Sequence, residues 1–542
     1  MRKFKSLALL AAAAMVATSV VPVMAEETTE AADTASDEEW FSSDIDTSEH
    51  VTIVYVTTGN KPTNTATDDM LAQLNEILTE KVNAELEIYY IEWTDYLTNY
   101  NLLLSSLDGT IDLVGTATDW LDAWPNAKKG AFLELSEDML QTYCPKTYAQ
   151  VEADGHWDDC KYNGQIYLIP EDNYSQWINH GFMYRQDWAD EAGLTDGVHS
   201  WEDMTTYFQG ILDNHPDVIP WDSDGTMATT VAGGWIASHT DDILIDGLGS
   251  FMFYGTKEDP YTIISPFMDD DTLYDYADMM YEWNEMGVWR TDVLNNTETS
   301  TRDELYAGTT GTDQHHTETW YGTVRPEMDE QQPGSDVGFF WFGEEMGNLV
   351  RMTTTHGAMA ISAASQNPER ALMVYDLLRN DEECYRLFNY GLEGVQYEFV
   401  DPEDESSLLI QRPESYDEET DGIVTDYWWG RNDDLELRWN NRYWDGLDEI
   451  SEVYESVAID YPYGQLVIDT SPISSYISSM SEVWDTYMKQ IAFGQSDDPH
   501  GLVDEFREQM KNAGYDEVLS YLQEQMDAVY GDAAAEETTA AE

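Results

Sequence analysis

Basic side chains are scarce in this 542-residue chain: 25 Lys and Arg stand against 107 Asp and Glu, a formal charge of −82. Such a surface repels nucleic acid phosphates and anionic bilayers, which argues against both as partners. Cysteine is scarce too. Three residues, Cys144, Cys160 and Cys384, exclude a disulfide-dense scaffold. Cys144 and Cys160 can pair only if the fold brings their Cα atoms close, which the sequence leaves open. No cysteine pair has the short spacing of a zinc site. Beyond the first 25 residues no apolar run is long enough to span a bilayer. No repeat of solenoid length is present. Gly-x-Ser-x-Gly, His-Glu-x-x-His and phosphate-loop motifs are also missing, which removes the commonest motif-bearing hydrolases. What the chain does have is apolar and aromatic: 42% hydrophobic residues, 19 Trp and 34 Tyr. That composition excludes general disorder, and the length calls for two domains or more.

The N-terminus reads as a secretory signal over residues 1–25. Arg2, Lys3 and Lys5 supply positive charge, Leu7 to Val21 the apolar stretch, and Val23-Met24-Ala25 the small residues before cleavage at Glu26. The apolar stretch falls short of the roughly 20 residues of a spanning helix. Residues 26–48, rich in Glu, Thr, Ala, Asp and Ser, read as a disordered acidic linker, and residues 532–542 as a disordered tail.

Between them the pattern is α/β. Val51 to Val56 alternates as a strand, and Thr57 to Pro62 breaks it. Met70, Leu71, Leu74, Ile77, Leu78 and Val82 mark one face of a helix with Asp68 and Asp69 in its first turn. A strand at 86–91, a helix over 96–107 and a strand at 111–115 follow, a succession that predicts a parallel sheet with right-handed crossovers. Ligands of such sheets bind beyond the carboxyl ends of the strands, here the loops at 57–62 and 116–122. Later, Pro368 opens a helix, and Gly514 closes one carrying Leu502, Val503, Phe506 and Met510. A last helix carries Val518, Leu519, Leu522, Met526 and Val529.

Several segments in order resemble one family. They are Asp112-Leu113-Val114-Gly115-Thr116-Ala117-Thr118-Asp119-Trp120 with Lys129 to Leu135, Tyr162-Asn163-Gly164-Gln165-Ile166-Tyr167-Leu168-Ile169-Pro170, and Tyr184 to Trp188. Ser200-Trp201-Glu202-Asp203-Met204, Ser365-Gln366-Asn367-Pro368-Glu369-Arg370-Ala371, Asn389 to Gly394 and Glu505 to Tyr515 complete the set. Together they resemble the extracellular solute-binding proteins of carbohydrate ABC importers, the family of maltose-binding protein, in its larger Gram-positive branch. The resemblance implies a two-lobe fold, each lobe a mainly parallel sheet flanked by helices, closing by a hinge. It implies lobe one over 49–170 and 336–390, and lobe two over 171–335 and 391–531. It also implies a monomer outside the cell that captures an oligosaccharide and delivers it to a membrane permease, with no cofactor, metal or catalysis. One departure concerns anchoring: relatives in Gram-positive bacteria carry a lipidated cysteine after the signal, and positions 15 to 40 hold none.

A sugar site needs flat aromatic platforms and polar rims. The resemblance and loop context single out Thr58, Asn60, Asp119, Trp120, Glu171, Asn173, Trp177 and Trp320, with Trp235, Glu393 and Trp428-Trp429 on loop context alone. Against each stands a plainer role as cap, turn or core residue. His315 and His316 beside Glu318 suggest a metal only superficially, because adjacent residues point apart along a strand. Asp222-Ser223-Asp224-Gly225 opens like a calcium loop, but Gly233 stands where the bidentate Glu belongs. Other readings are a binding protein for peptides or another solute, a secreted glycoside hydrolase needing two carboxylates across the cleaved bond, and a surface adhesin.

Overall fold

A computed structural model describes residues 40–171, 179–223, 225–245, 252–296, 301–402, 408–442 and 444–540. The export signal, most of the acidic linker, Asn173 and Trp177 lie outside the described residues. Seven strands build the two principal sheets: β1 (Val51–Thr58), β2 (Ala84–Ile91), β3 (Leu113–Thr116), β4 (His180–Arg185), β5 (Thr312–His316), β6 (Val337–Trp341) and β7 (Ala358–Ile361).

The first sheet has the order β7-β3-β1-β2. β1 pairs in parallel with β2 and β3, while β7 runs antiparallel beside β3. Helix Ala66–Val82 crosses from β1 to β2. Its buried face is Ala66, Thr67, Met70, Leu74, Leu78 and Val82, and Asn83 ends it in the left-handed conformation. β3 and β7 are buried throughout, as strands covered on both faces must be. This sheet, helix Pro368–Asn380 and helix Glu382–Tyr390 share one core with Tyr427 and Trp429, which arrive from far along the chain.

The second sheet departs from expectation. Its order is β6-β4-β5, and both pairings are antiparallel. A separate core surrounds it, built by helices Trp201–Asn214, Ala228–His239, Thr272–Met286, Ser474–Ala492 and Pro499–Asn512. Ser200 caps the first of these by accepting from the Asp203 amide, and Trp201 is wholly buried. Two smaller clusters join these cores, one around Trp320, Phe339 and Tyr454, the other around Tyr390, Phe399 and Ile410.

Both expected disordered ends are shorter than the composition suggests. Trp40, Phe41 and Ile45 pack on the first core, and the Trp40 indole donates to Asp376 at 2.9 Å. Three apolar side chains are enough to dock the end of the linker. At the other terminus helix Tyr515–Ala540 runs through most of the tail, whose Ala and Glu are strong helix formers. All three cysteines are free and buried, and burial pushes each thiol up. Among the described residues no helix is long and apolar enough to cross a membrane.

A tryptophan row at the strand ends

The carboxyl ends of β1, β2 and β3 converge on one wall. Just past β2 stands Trp93, and just past β3 stand Asp119 and Trp120. The end of β1 holds the segment Asp426 to Trp429 in place. There the Tyr55 and Thr57 hydroxyls donate to the Asp426 carbonyl at 2.9 and 2.7 Å, and the Trp429 indole donates to Thr57 Oγ1 at 3.2 Å. The result is a row of four indoles, Trp428, Trp93, Trp120 and Trp429, bent back on itself. Successive centroids are 6.4, 6.2 and 5.7 Å apart, with planes within 10°, 27° and 22° of parallel, and the two ends meet, Trp428 and Trp429 lying 5.7 Å apart at 44°. Trp93 is 43% exposed, an unusual amount of open aromatic surface for a residue between two strands' loops.

Gly115 makes the row possible. A Cβ at this position of β3 would lie 2.4 Å from the indole of Trp429. Gly115→Ala is therefore expected to displace a fully buried tryptophan, destabilising the protein by about 1–3 kcal/mol and tilting Trp120 with it. A thermal melt together with near-ultraviolet circular dichroism checks this, and a wild-type dichroism spectrum would refute it.

Polar groups line the same wall. His356 donates from Nδ1 to Asp119 at 2.5 Å, while the second Asp119 oxygen is buried without a partner among the described residues. Thr58 and Thr116, at the ends of β1 and β3, also bury hydroxyls with no partner among those residues. Glu171 is 5% exposed, with its amide bonded to the Thr354 carbonyl at 3.2 Å. Burial pushes its carboxyl up to about 8, against the pull of His356, Arg431 and Arg379. At neutral pH it holds its proton and can donate as well as accept.

Opposite lie His180, at the start of β4, and His315 and His316, at the end of β5. Their ring centroids are 5.6, 6.0 and 4.2 Å apart. The adjacent pair come together because His316 leaves the strand to cap the next turn, accepting from the Thr319 amide at 3.3 Å. Burial, then their mutual repulsion, lowers His180 to about 4, His315 to about 3 and His316 to about 4, so all three rings are neutral at pH 7. Arg431 reaches Glu318 at 3.9 Å between the two sides. Asp119, His180, Gly234, Phe342 and Thr353 enclose a cavity of about 390 Å³ where the two cores meet. Among the described residues no group of three or more His, Cys, Asp or Glu is arranged to hold a metal.

The raised Glu171 carboxyl gives a pH prediction. Its folded form keeps a proton that the unfolded chain releases near 4.3. The stability this adds is full below about 4.5 and is lost as pH rises through about 8. Glu171→Gln has no such titration, so it should gain on wild type as pH rises across that window. The gain should total a few kcal/mol, about 1.4 kcal/mol for each pH unit crossed. Denaturant unfolding at stepped pH checks the slope; parallel curves would contradict it.

Of the residues singled out from sequence, the structure brings Thr58, Asp119, Trp120, Glu171 and Trp428-Trp429 to this wall. Asn60 is exposed in the loop after β1. Three lie elsewhere. Trp235 is 4% exposed in the second core, stacked on His239 and bonded to the Thr272 carbonyl, because it sits on the inner face of helix Ala228–His239. Trp320 is buried against Phe339 with its indole on the Val337 carbonyl. Glu393 is exposed in a surface groove beside Gln73, Glu76 and Lys81, away from the row. The sequence reading missed Trp93, His356, His180 and Arg431. The strand-end rule that found Asp119 applies equally to Trp93, two residues past β2. His180 and His356 carry no comparable signal, because tertiary contacts alone bring them in.

The profile described as "Bacterial extracellular solute-binding protein" matches residues 62–383. The chain belongs to that family. Residues 462–530 of this solute-binding protein also match a profile described as "Domain of unknown function (DUF3502)". A protein of Streptococcus pneumoniae serotype 4 named "Carbohydrate ABC transporter substrate-binding protein" is 23% identical over 482 residues, covering 86% of this chain and 89% of that relative. Among solved structures, the N-glycan transport solute binding protein NgtS of S. pneumoniae, in complex with Man1GlcNAc, has a TM-score of 0.63 at 20% identity, over 88% of this chain and 99% of its own. The S. pneumoniae substrate-binding protein FusA, in complex with kestose, has 0.60 at 15%, over 89% and 100%. These structures share the two-lobe α/β fold.

Proposed function

We propose that this solute-binding protein captures an uncharged oligosaccharide between its two cores and hands it to the membrane permease of an ABC importer. The observation that carries the reading is the row of near-parallel indoles at the strand ends, flanked by polar groups that are neutral at pH 7. Sugar rings present C–H faces that stack on indoles, and rims of hydroxyls that both donate and accept. Three neutral imidazoles and a protonated Glu171 match that rim, and the unpartnered oxygen of Asp119 is free to accept from it.

By this reading the first core, with β1, β2, β3 and β7, is one lobe, and the core around β4, β5 and β6 is the other. Ligand stabilises the closed arrangement by binding it better than the open one. The protein works as a monomer outside the cell, exported by its N-terminal signal, and releases its cargo unaltered. The names of the relatives support the carbohydrate class and the importer.

The test is thermal unfolding against panels of neutral oligosaccharides, amino acids and short peptides. A bound sugar at 100 times its dissociation constant should add about 2.7 kcal/mol, with no product released on prolonged incubation. Shifts with peptides alone would overturn the sugar, and glycan breakdown would overturn the binding role.

A further inference from the structure

Trp428, with Arg431, also lines a second cavity of about 640 Å³. Its walls come from Trp439, Trp444 and Tyr321, delivered by the smaller clusters rather than the two main cores, and from Arg442. Trp444 and Tyr321 lie 6.1 Å apart at 44°, and the Trp444 indole is anchored on the Trp439 carbonyl at 2.9 Å. The two rings touch each other and give the cavity a fixed aromatic wall.

The polar lining leans acidic, three arginines against four carboxyl groups. Arg431, Arg438 and Arg442 face Asp426, Asp433, Glu436 and Asp448. Arg438 pairs with Asp448 at 3.7 Å, and Glu436 accepts from the Tyr385 and Tyr390 hydroxyls. Arg442 makes no ion pair among the described residues and stands 6.0 Å from the Tyr321 ring, its planar fork of donors free for hydroxyls. With no net positive charge, the cavity fits an uncharged pyranose rather than an acidic one.

We infer that the Trp439–Trp444 cavity is a distal subsite, contiguous with the tryptophan row through Trp428, that holds the outer sugar rings of an extended neutral oligosaccharide. The inference rests on the carbohydrate reading above. It makes the protein a binder of long glycans: short ones reach the row alone, and longer ones fill both.

Calorimetric titration of the intact protein with neutral series of two to six sugars tests it, using malto- and manno-oligosaccharides together with Man1GlcNAc and Man5GlcNAc. In the series that binds, the longest member should bind about tenfold or more tighter than the shortest. Trp444→Ala should erase most of that gain and leave the shortest member's affinity within about twofold. Arg442→Gln, at a half-exposed side chain with no ion pair to break, should do the same without touching the melt. Equal affinity for long and short members, or an equal loss for both in Trp444→Ala and Arg442→Gln, would overturn the subsite while leaving sugar binding intact. No binding by any member would overturn the carbohydrate reading, and the subsite with it.

Discussion

Trp93→Ala should abolish most ligand binding while leaving the fold almost unchanged. The indole is the most exposed member of the row, so its removal costs the fold less than loss of a core tryptophan, about 1–2 kcal/mol. For the ligand it is the middle of the platform. Its plane lies near parallel to both Trp428 and Trp120, so the variant takes away one stacking face and loosens two others. An aromatic contact contributes about 0.5–1.5 kcal/mol beyond buried area. With the area itself, at about 25 cal/mol per Å², the loss should reach about 2–3 kcal/mol, or roughly 30- to 150-fold in affinity. Titration against the best neutral oligosaccharide, with a melt of the same sample, separates binding from folding. Affinity within threefold of wild type would remove the row from the binding site.

Asp376→Ala should instead be the most damaging change to the fold. Asp376 is fully buried in helix Pro368–Asn380 and accepts from six groups on three segments. These are the Trp40 indole at 2.9 Å, the Cys144 thiol at 3.6 Å, the Lys146 and Thr147 amides at 3.2 and 2.8 Å, the Thr147 hydroxyl at 2.7 Å, and the Asn380 side chain at 3.1 Å. Alanine leaves those donors buried with nothing to bind. Breaking such a network costs about 3–5 kcal/mol, which for a lobe of this size lowers the melting midpoint by roughly 10 °C. A midpoint within 2 °C of wild type would show that water replaces the carboxylate.

The first sheet was legible because its apolar periods alternate cleanly from Val51 to Leu113, and because strand ends follow a general rule for ligand placement. The second sheet was not. Its three strands lie far apart in sequence, and the pairing of His180–Arg185 with residues near 312 and 337 leaves no local trace, so neither its direction nor its histidines could be read. Trp235 and Trp320 misled for the opposite reason: a tryptophan in a chain with 19 of them looks the same in a core as in a cleft. The apolar character of 228–239 nearly all round the helix would have argued for the core.

The seat of Trp429 on Gly115 also bears on the order in which the protein matures. The chain is synthesised from its N-terminus, and domains tend to fold in that order. The first sheet can form once β3 and β7 are out, yet its strand ends then frame an empty groove over Gly115. Until Tyr427, Trp428 and Trp429 emerge, the nascent lobe carries an open apolar slot suited to a chaperone or to another unfinished chain. The proposed cargo surface is thus completed only after the sheet that carries it, so a product terminated before Tyr427 would keep much of the first sheet and lack two of the four indoles.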